Sequence, residues 1–182
     1  MEAVASLVAD GCIHTFSVQD VADRAGISYA SVYHHFPTRE ALLKEMYEWA
    51  GEVTEAQMPP APQTIDEIPG WIEKSIPVFE QHAVVTQATV TALAALNINP
   101  QSKRRRDEVI DKIVADGVPY LSPEVTRRAA AVIRYLAGSQ SWAVLRQRFG
   151  LDAADASAAL TWALEVLIRD LKQYKTTASP GR

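Results

Sequence analysis

Apolar residues fall at helical spacing in one segment of the chain after another. Residues 2 to 10 place Ala3, Val4, Leu7 and Val8 inward and end near Gly11. Val18, Val21, Ala22 and Ala25 recur at i, i+3, i+4 and i+7, one face of a helix. Ser17 precedes them as a cap whose hydroxyl accepts a backbone N–H left unpaired by the opening turn. Gly26 follows, a residue free to take the left-handed conformation that stops a helix sharply. Ser28 caps a second short helix with Val32 and Phe36 inward. Pro37 and Thr38 break and restart the chain, and Thr38 caps a longer helix opening at Arg39. Leu42, Met46, Trp49, Ala50 and Val53 line that helix, and Ile13 and Phe16 close a small core against Val21, Ile27, Val32 and Phe36.

Met58-Pro-Pro-Ala-Pro-Gln is a stiff, helix-breaking linker and divides the chain into residues 1–56 and 57–182. Thr64-Ile-Asp-Glu67 has the form of a capping box, with Pro69 as a competing start. Pro77 falls within the helical pattern that follows and predicts a kink. Val84 to Leu96 is apolar and dotted with threonine; Asn97 to Ser102 reads as a loop. Lys103 to Arg106 is the basic run of the chain, either a nucleic-acid patch or a solvated helix start laced with i,i+4 ion pairs. Val109, Ile110, Ile113 and Val114 carry that helix inward until Gly117 and Pro119 end it. Ser122-Pro-Glu124 is a strong helix start, and the helix is expected to run to about Phe149 with Gly138 as a weak point. Asp152 caps the last helix, in which Thr161, Glu165 and Arg169 are the main polar positions of an otherwise apolar circumference. A helix apolar nearly all round is buried on several sides, either by a second copy of the chain or as the central helix of a monomer. Thr176 to Arg182 reads as a frayed polar tail.

Helix, glycine turn, helix is the form of a helix-turn-helix. The outward face of its second helix, Tyr29, Ala30, Ser31, Tyr33 and His34, is small, hydroxylated or aromatic and holds no carboxylate. Such a face suits the major groove, where small residues permit close approach and hydroxyls or imidazoles bond bases and phosphates. An ordinary helical hairpin with a polar exterior has the same spacing. The run GISYASVYHHFPTREALL resembles the TetR family of bacterial transcriptional regulators, matching its pattern nearly position by position over the N-terminal segment.

That resemblance implies an all-α fold of about nine helices: a three-helix head joined to a C-terminal ligand-binding and dimerisation domain. It implies a homodimer paired through the last two helices, with Leu160, Ala163, Leu164, Leu167 and Leu171 at the interface. The two reading helices would then stand about 34–36 Å apart over a palindromic duplex operator. Tyr29, Ala30, Ser31 and His34 would face base edges, and Tyr33, His35 and Arg39 phosphates, with Ser17 and Gln19 helping at the neighbouring backbone and Ser28 also among the DNA-binding residues. A small-molecule cavity would draw on Trp71, Phe79, His82, Thr86, Thr89, Tyr135 and Trp142, although aromatics at helical spacing, and a lone histidine such as His82, also serve as plain core or surface. In the family the first helix is usually longer and preceded by a basic arm. Here the chain begins inside that helix, so the arm's phosphate contacts are not assigned.

Charge complicates the picture. Residues 1–56 hold three basic side chains, Arg24, Arg39 and Lys44, against nine acidic ones. A DNA-binding head ordinarily carries a positive footprint, because neutralising phosphates supplies much of the affinity. Weak non-specific binding is therefore expected, resting on Arg39 and hydroxyl contacts, with an acidic head that docks on protein as the alternative. Cys12 is the single cysteine, so neither an intrachain disulfide nor a metal cluster is implied. The chain shows no glycine-rich phosphate loop, nucleophile elbow or HExxH, and neither enzyme nor cofactor is expected. With no secretory pattern and no apolar run of membrane length, a cytoplasmic protein is expected.

Overall fold

The computed structural model describes residues 1–96 and 101–174. Ten α-helices and one 3₁₀ turn occupy them, and no strand occurs among the described residues. The helices are α1 Glu2–Ala9, α2 Val18–Ala25, α3 Tyr29–His35 and α4 Arg39–Glu55; then, after the turn Ile65–Glu67, α5 Ile68–Gln81, α6 Ala83–Leu96 and α7 Gln101–Gly117; and finally α8 Pro123–Leu136, α9 Ser139–Gln147 and α10 Ala153–Gln173. Residues 97–100, most of the loop expected before Lys103, and the tail from 175 onward lie outside the described residues; α7 already begins at Gln101. Two compact units make up the chain, one of Met1–Met58 with Val78–Pro100, the other of Pro59–Pro77 with Gln101–Arg182. The first unit thus adds α6 to the N-terminal helices.

In the first unit one apolar cluster joins Val4, Leu7 and Val8 of α1, Val21 and Ala22 of α2, Val32 of α3, Leu42, Leu43 and Met46 of α4, and Ala88 and Ala92 of α6. α1 packs on α2, α4 and α6, and α6 also packs on α4. α4 is therefore covered on two sides, and its buried stripe takes in Leu43 and Tyr47, while Trp49 and Val53 are only half-buried. Two expected core residues lie outside. Ala25 is exposed at the end of α2, beyond the reach of the cluster. Ile27 is 54% exposed, because its N–H bonds back to the Ala22 carbonyl and holds it over the end of α2.

In the second unit the expected capping box is replaced by the 3₁₀ turn. The Glu67 carboxylate accepts the Gln63 N–H at 2.8 Å and the Thr64 hydroxyl at 3.1 Å, and α5 starts at Ile68. Ile65, Ile68, Ile72 and Ile76 are all buried. α7 packs on α8 and on the 3₁₀ turn, and α10 on α8, α9 and that turn. The contact with the turn is close. A Cβ on Gly117 would lie 2.7 Å from Ile65 Cγ2, so only glycine fits without displacement. Val109, expected inward, is 41% exposed, one position round α7 from the buried face of Ile110, Ile113 and Val114. The basic run forms a solvated helix start in which Lys103 pairs with Asp107 at 2.8 Å.

The single helix expected from Ser122 to about Phe149 is two helices. Gly138 is extended (φ −106, ψ 159) between them, and a Cβ there would come within 3.2 Å of the Arg134 carbonyl oxygen. The Ser141 hydroxyl, itself buried, reaches the carbonyls of Leu136 (2.9 Å) and Gly138 (2.8 Å) and satisfies the broken end. No helix among the described residues is long and apolar enough to cross a membrane.

Candidate nucleic-acid interface

Local chemistry builds the head. Ser17 and Asp20 close a capping box: the Asp20 N–H bonds Ser17 Oγ at 3.2 Å, and Asp20 Oδ2 accepts the Ser17 N–H at 2.7 Å. Those hydrogen bonds from Ser17, backbone first and hydroxyl second, hold the Asp20 carboxyl below its ordinary value. Gly26, at φ 67, stops α2 in the left-handed conformation and sends the chain into α3. Ser28 caps α3 by accepting the Ser31 N–H at 3.1 Å, and its hydroxyl shares a hydrogen bond with that of Ser31 at 2.8 Å. Thr38 caps α4 from the other side.

α3 buries Val32 alone. Tyr29, Ala30, Ser31, Tyr33, His34 and His35 are all exposed. Tyr29 and Tyr33 stand one helical turn apart with their rings stacked, centroids 5.4 Å apart and planes 20° off parallel. His34 and His35 meet edge to face at 5.2 Å. The result is a short projecting rod with two hydroxyls at its start, two phenols along one side and two imidazoles at its end. It carries no carboxylate.

The residues flanking α3 are more committed than expected. Gln19 is exposed but donates to Asp23 at 2.7 Å. The Arg39 guanidinium donates to the His14 carbonyl and lies 3.7 Å from Glu40, and its Nε is buried without a hydrogen-bond partner. Arg39 thus ties the start of α4 to the loop before α2, and its charge is largely directed into the protein. Arg24 is bound by Ser6 and by Asp10 at 2.9 Å. His14, exposed on that same loop, was not among the expected contacts; its place beside the start of α4 depends on the hydrogen bond its carbonyl accepts from the Arg39 side chain, 25 residues away.

The residues expected at a ligand cavity fall in both units. Phe79, His82, Thr86 and Thr89 belong to the first, and Trp71, Tyr135 and Trp142 to the second. Phe79, Thr86 and Trp142 are buried, and the Trp71 indole N–H donates to the Pro59 carbonyl at 3.3 Å. Thr89 returns its hydroxyl to the Val85 carbonyl, and Tyr135 is 48% exposed. His82 Nε2, Thr86 Oγ1 and Gln87 Oε1 on α6, and Thr161 Oγ1 on α10, are buried without hydrogen-bond partners. Of the residues expected between two copies, Leu160, Leu164 and Leu171 are buried within the chain itself, in a stripe with Ala156 and Ile168; Ala163 and Leu167 are half-buried. The uncovered apolar surface of these helices is instead Trp162 (65% exposed) on α10 and Val132 and Tyr135 on α8.

Residues 1–46 match the family model for bacterial regulatory proteins of the tetR family. The HTH-type transcriptional repressor KstR2 of Mycolicibacterium smegmatis is 26% identical over 131 residues, and the match spans 64% of this chain and 64% of that protein. Two solved structures share the fold. The TetR family transcriptional regulator PfmR of Thermus thermophilus superposes with a TM-score of 0.63 at 20% identity, over 92% of this chain and 96% of that one. The regulator FadR of Bacillus subtilis, solved in complex with stearoyl-CoA, gives 0.62 at 17% identity, over 92% and 97%. Residues 1–46 therefore carry a helix-turn-helix head like that of the tetR-family regulators, and the helices that follow share the fold of the solved regulators.

Proposed function

We propose that the chain is a homodimeric, cytoplasmic transcriptional repressor that reads a palindromic duplex operator with α3 and releases it when a small molecule binds. The observation that carries this reading is α3 itself, with six of its seven residues exposed and free of negative charge. Serine, tyrosine and histidine at those positions offer donors and acceptors to base edges and phosphates, and Ala30 lets the backbone approach closely. KstR2 bears the description of a repressor, which supports that direction of control.

The ligand reading rests on α6. His82 Nε2, Thr86 Oγ1 and Gln87 Oε1 are three buried polar atoms within six residues, all without partners. Each such atom costs about 1–3 kcal/mol unless something bonds it, and a polar group of a bound small molecule meets that need. The ligand acts by binding unequally to two head spacings, one fitting successive major grooves and one not. The dimer reading rests on the other face of α10. With Leu160, Leu164 and Leu171 already covered, Trp162 together with Val132 and Tyr135 of α8 is the surface a second copy would cover, two helices from each protomer in a two-fold bundle.

A footprint on the DNA upstream of the chain's own gene tests the whole. Two protected half-sites about one helical turn apart are expected. Absence of protection at low salt overturns the reading and leaves the acidic head as a surface for protein.

A further inference from the structure

α6 reads AVVTQATVTALAAL, and its polar side chains divide into those that are bonded and those that are not. The Thr89 hydroxyl donates to the Val85 carbonyl at 2.9 Å, and Gln87 Nε2 donates to Thr91 Oγ1 at 3.2 Å. Thr86 is 5% exposed, yet its Oγ1 has no partner, and the same holds for the buried Gln87 Oε1 and His82 Nε2. A helical threonine commonly turns its hydroxyl back to the carbonyl four residues earlier. For Thr86 that is the His82 carbonyl, which accepts the Thr86 N–H at 2.8 Å and not the hydroxyl. His82 and Thr86 stand one turn apart on one side of α6, nearly opposite Ala88, which enters the apolar cluster of the first unit. Val90 and Leu93, both half-buried, continue that side at i+4 and i+7 from Thr86.

Charge limits what can lodge there. No lysine, arginine, aspartate or glutamate occurs between Glu80 and Lys103. The first unit holds three lysines and arginines in all: Arg24 is bound by Ser6 and Asp10, Arg39 by the His14 carbonyl, and Lys44 is exposed. A carboxylate or phosphate buried beside Thr86 would have no counter-ion from that unit, and an unpaired buried charge is strongly disfavoured. α6 likewise offers no carboxylate to an ammonium. Hydrogen-bond direction narrows the choice further. Gln87 Oε1 can only accept, so its partner must donate, and a ketone or ester brings no proton. A hydroxyl donates one bond and accepts two, and so answers acceptor and donor alike.

We propose that α6 recognises an uncharged hydrocarbon bearing a hydroxyl, the hydroxyl bonding Thr86 and Gln87 while the apolar body lies along Val90 and Leu93. This rests on α6 lining the ligand site proposed above, and adds the chemical class of the ligand. In the free protein these polar atoms lack a bond, and the alcohol supplies it on entering.

Calorimetric titration of the full chain with decanol, decanoate and decylammonium, and with naphthol and naphthoate as a rigid pair, tests the class. Each alcohol should bind about tenfold or more tighter than the charged compounds of the same skeleton. Thr86→Val keeps the shape and removes the hydroxyl. It should weaken alcohol binding about fivefold, as for one lost hydrogen bond, yet raise the thermal midpoint of the free protein by about 2–4 °C, because an unbonded polar group has gone. A threonine that merely supports the fold would do the reverse, lowering the midpoint and leaving the order of ligands unchanged. Gln87→Met removes the lone acceptor and should weaken alcohol binding likewise, which keeps the test open if Thr86→Val does not fold. Charged compounds that bind as tightly as the alcohols, or folded variants that keep the wild-type preference, overturn the proposal and leave α6 a ligand site of another kind. If none of the compounds binds, the ligand site on α6 fails and the proposal with it.

Discussion

Tyr33 and Ser31 lie two positions apart on α3, and under the proposed reading their chemistry would separate two kinds of contact with DNA. A phenol meeting a phosphate fixes register without reading sequence, whereas a hydroxyl against a base edge selects it. Tyr33→Phe is expected to weaken binding to every duplex by a similar factor, about fivefold for one hydrogen bond of about 1 kcal/mol. Ser31→Ala should instead change which operator variants compete best. Competition titrations over a set of single-base variants distinguish the two, and equal losses on all of them for both substitutions would refute the division. Ser17→Ala removes the cap of α2 and should cost about 1 kcal/mol of stability, read from the thermal midpoint. Asp20, whose carboxyl Ser17 holds low, adds stability that is present above its unfolded value and lost as the pH falls through the lowered one. That acid-side loss should shrink in the Ser17→Ala variant. These caps were legible because they are local: Ser17, Ser28, Thr38, Ser122 and Asp152 each bond an N–H three residues on. The commitment of Arg39 was not, since its partner is a backbone carbonyl 25 residues away that only the folded head brings near.

At the scale of elements, two glycines decide how helices end and meet. Gly117→Ala places a methyl where Ile65 already stands, so a loss of about 1–3 kcal/mol is expected from overpacking. Alanine's better helix propensity offsets at most about 1 kcal/mol of it. Chemical denaturation measures the balance, and an unchanged midpoint would show that the 3₁₀ turn yields freely. Gly138 was visible in the sequence as a weak point but not as a break. Its backbone is one that other residues can adopt, and the interruption is completed by Ser141 reaching back to two carbonyls. Periodicity also cannot say which side of an apolar helix its own chain will cover. In α10 the chain itself covers Leu160, Leu164 and Leu171 and leaves Leu167 half-buried, while Trp162 remains open.

For the molecule as a whole, the uncovered tryptophan bears on the proposed pairing of two copies. Trp162→Arg places a cation in the centre of the surface proposed to pair with a second copy, where truncating an aromatic anchor alone commonly costs about 2 kcal/mol or more, about a thirtyfold weakening. Sedimentation should show dimer for the wild type and monomer for the variant at the same concentration, with operator affinity falling alongside. A wild-type monomer would remove the basis for reading two half-sites. The N-terminal match was legible because a helix-turn-helix is written in caps, a glycine and a short apolar repeat; the remaining helices, identified only by periodicity, showed their pairing in the structure alone. One contact in the first unit has a mechanical corollary. Where α6 enters the core beside α1 it does so through Ala88 and Ala92, side chains of one carbon with no rotamers to exchange. Longer side chains would swivel and soak up a small slide, but methyl groups behave like gear teeth cut without backlash, and whatever shifts one rod must shift the other.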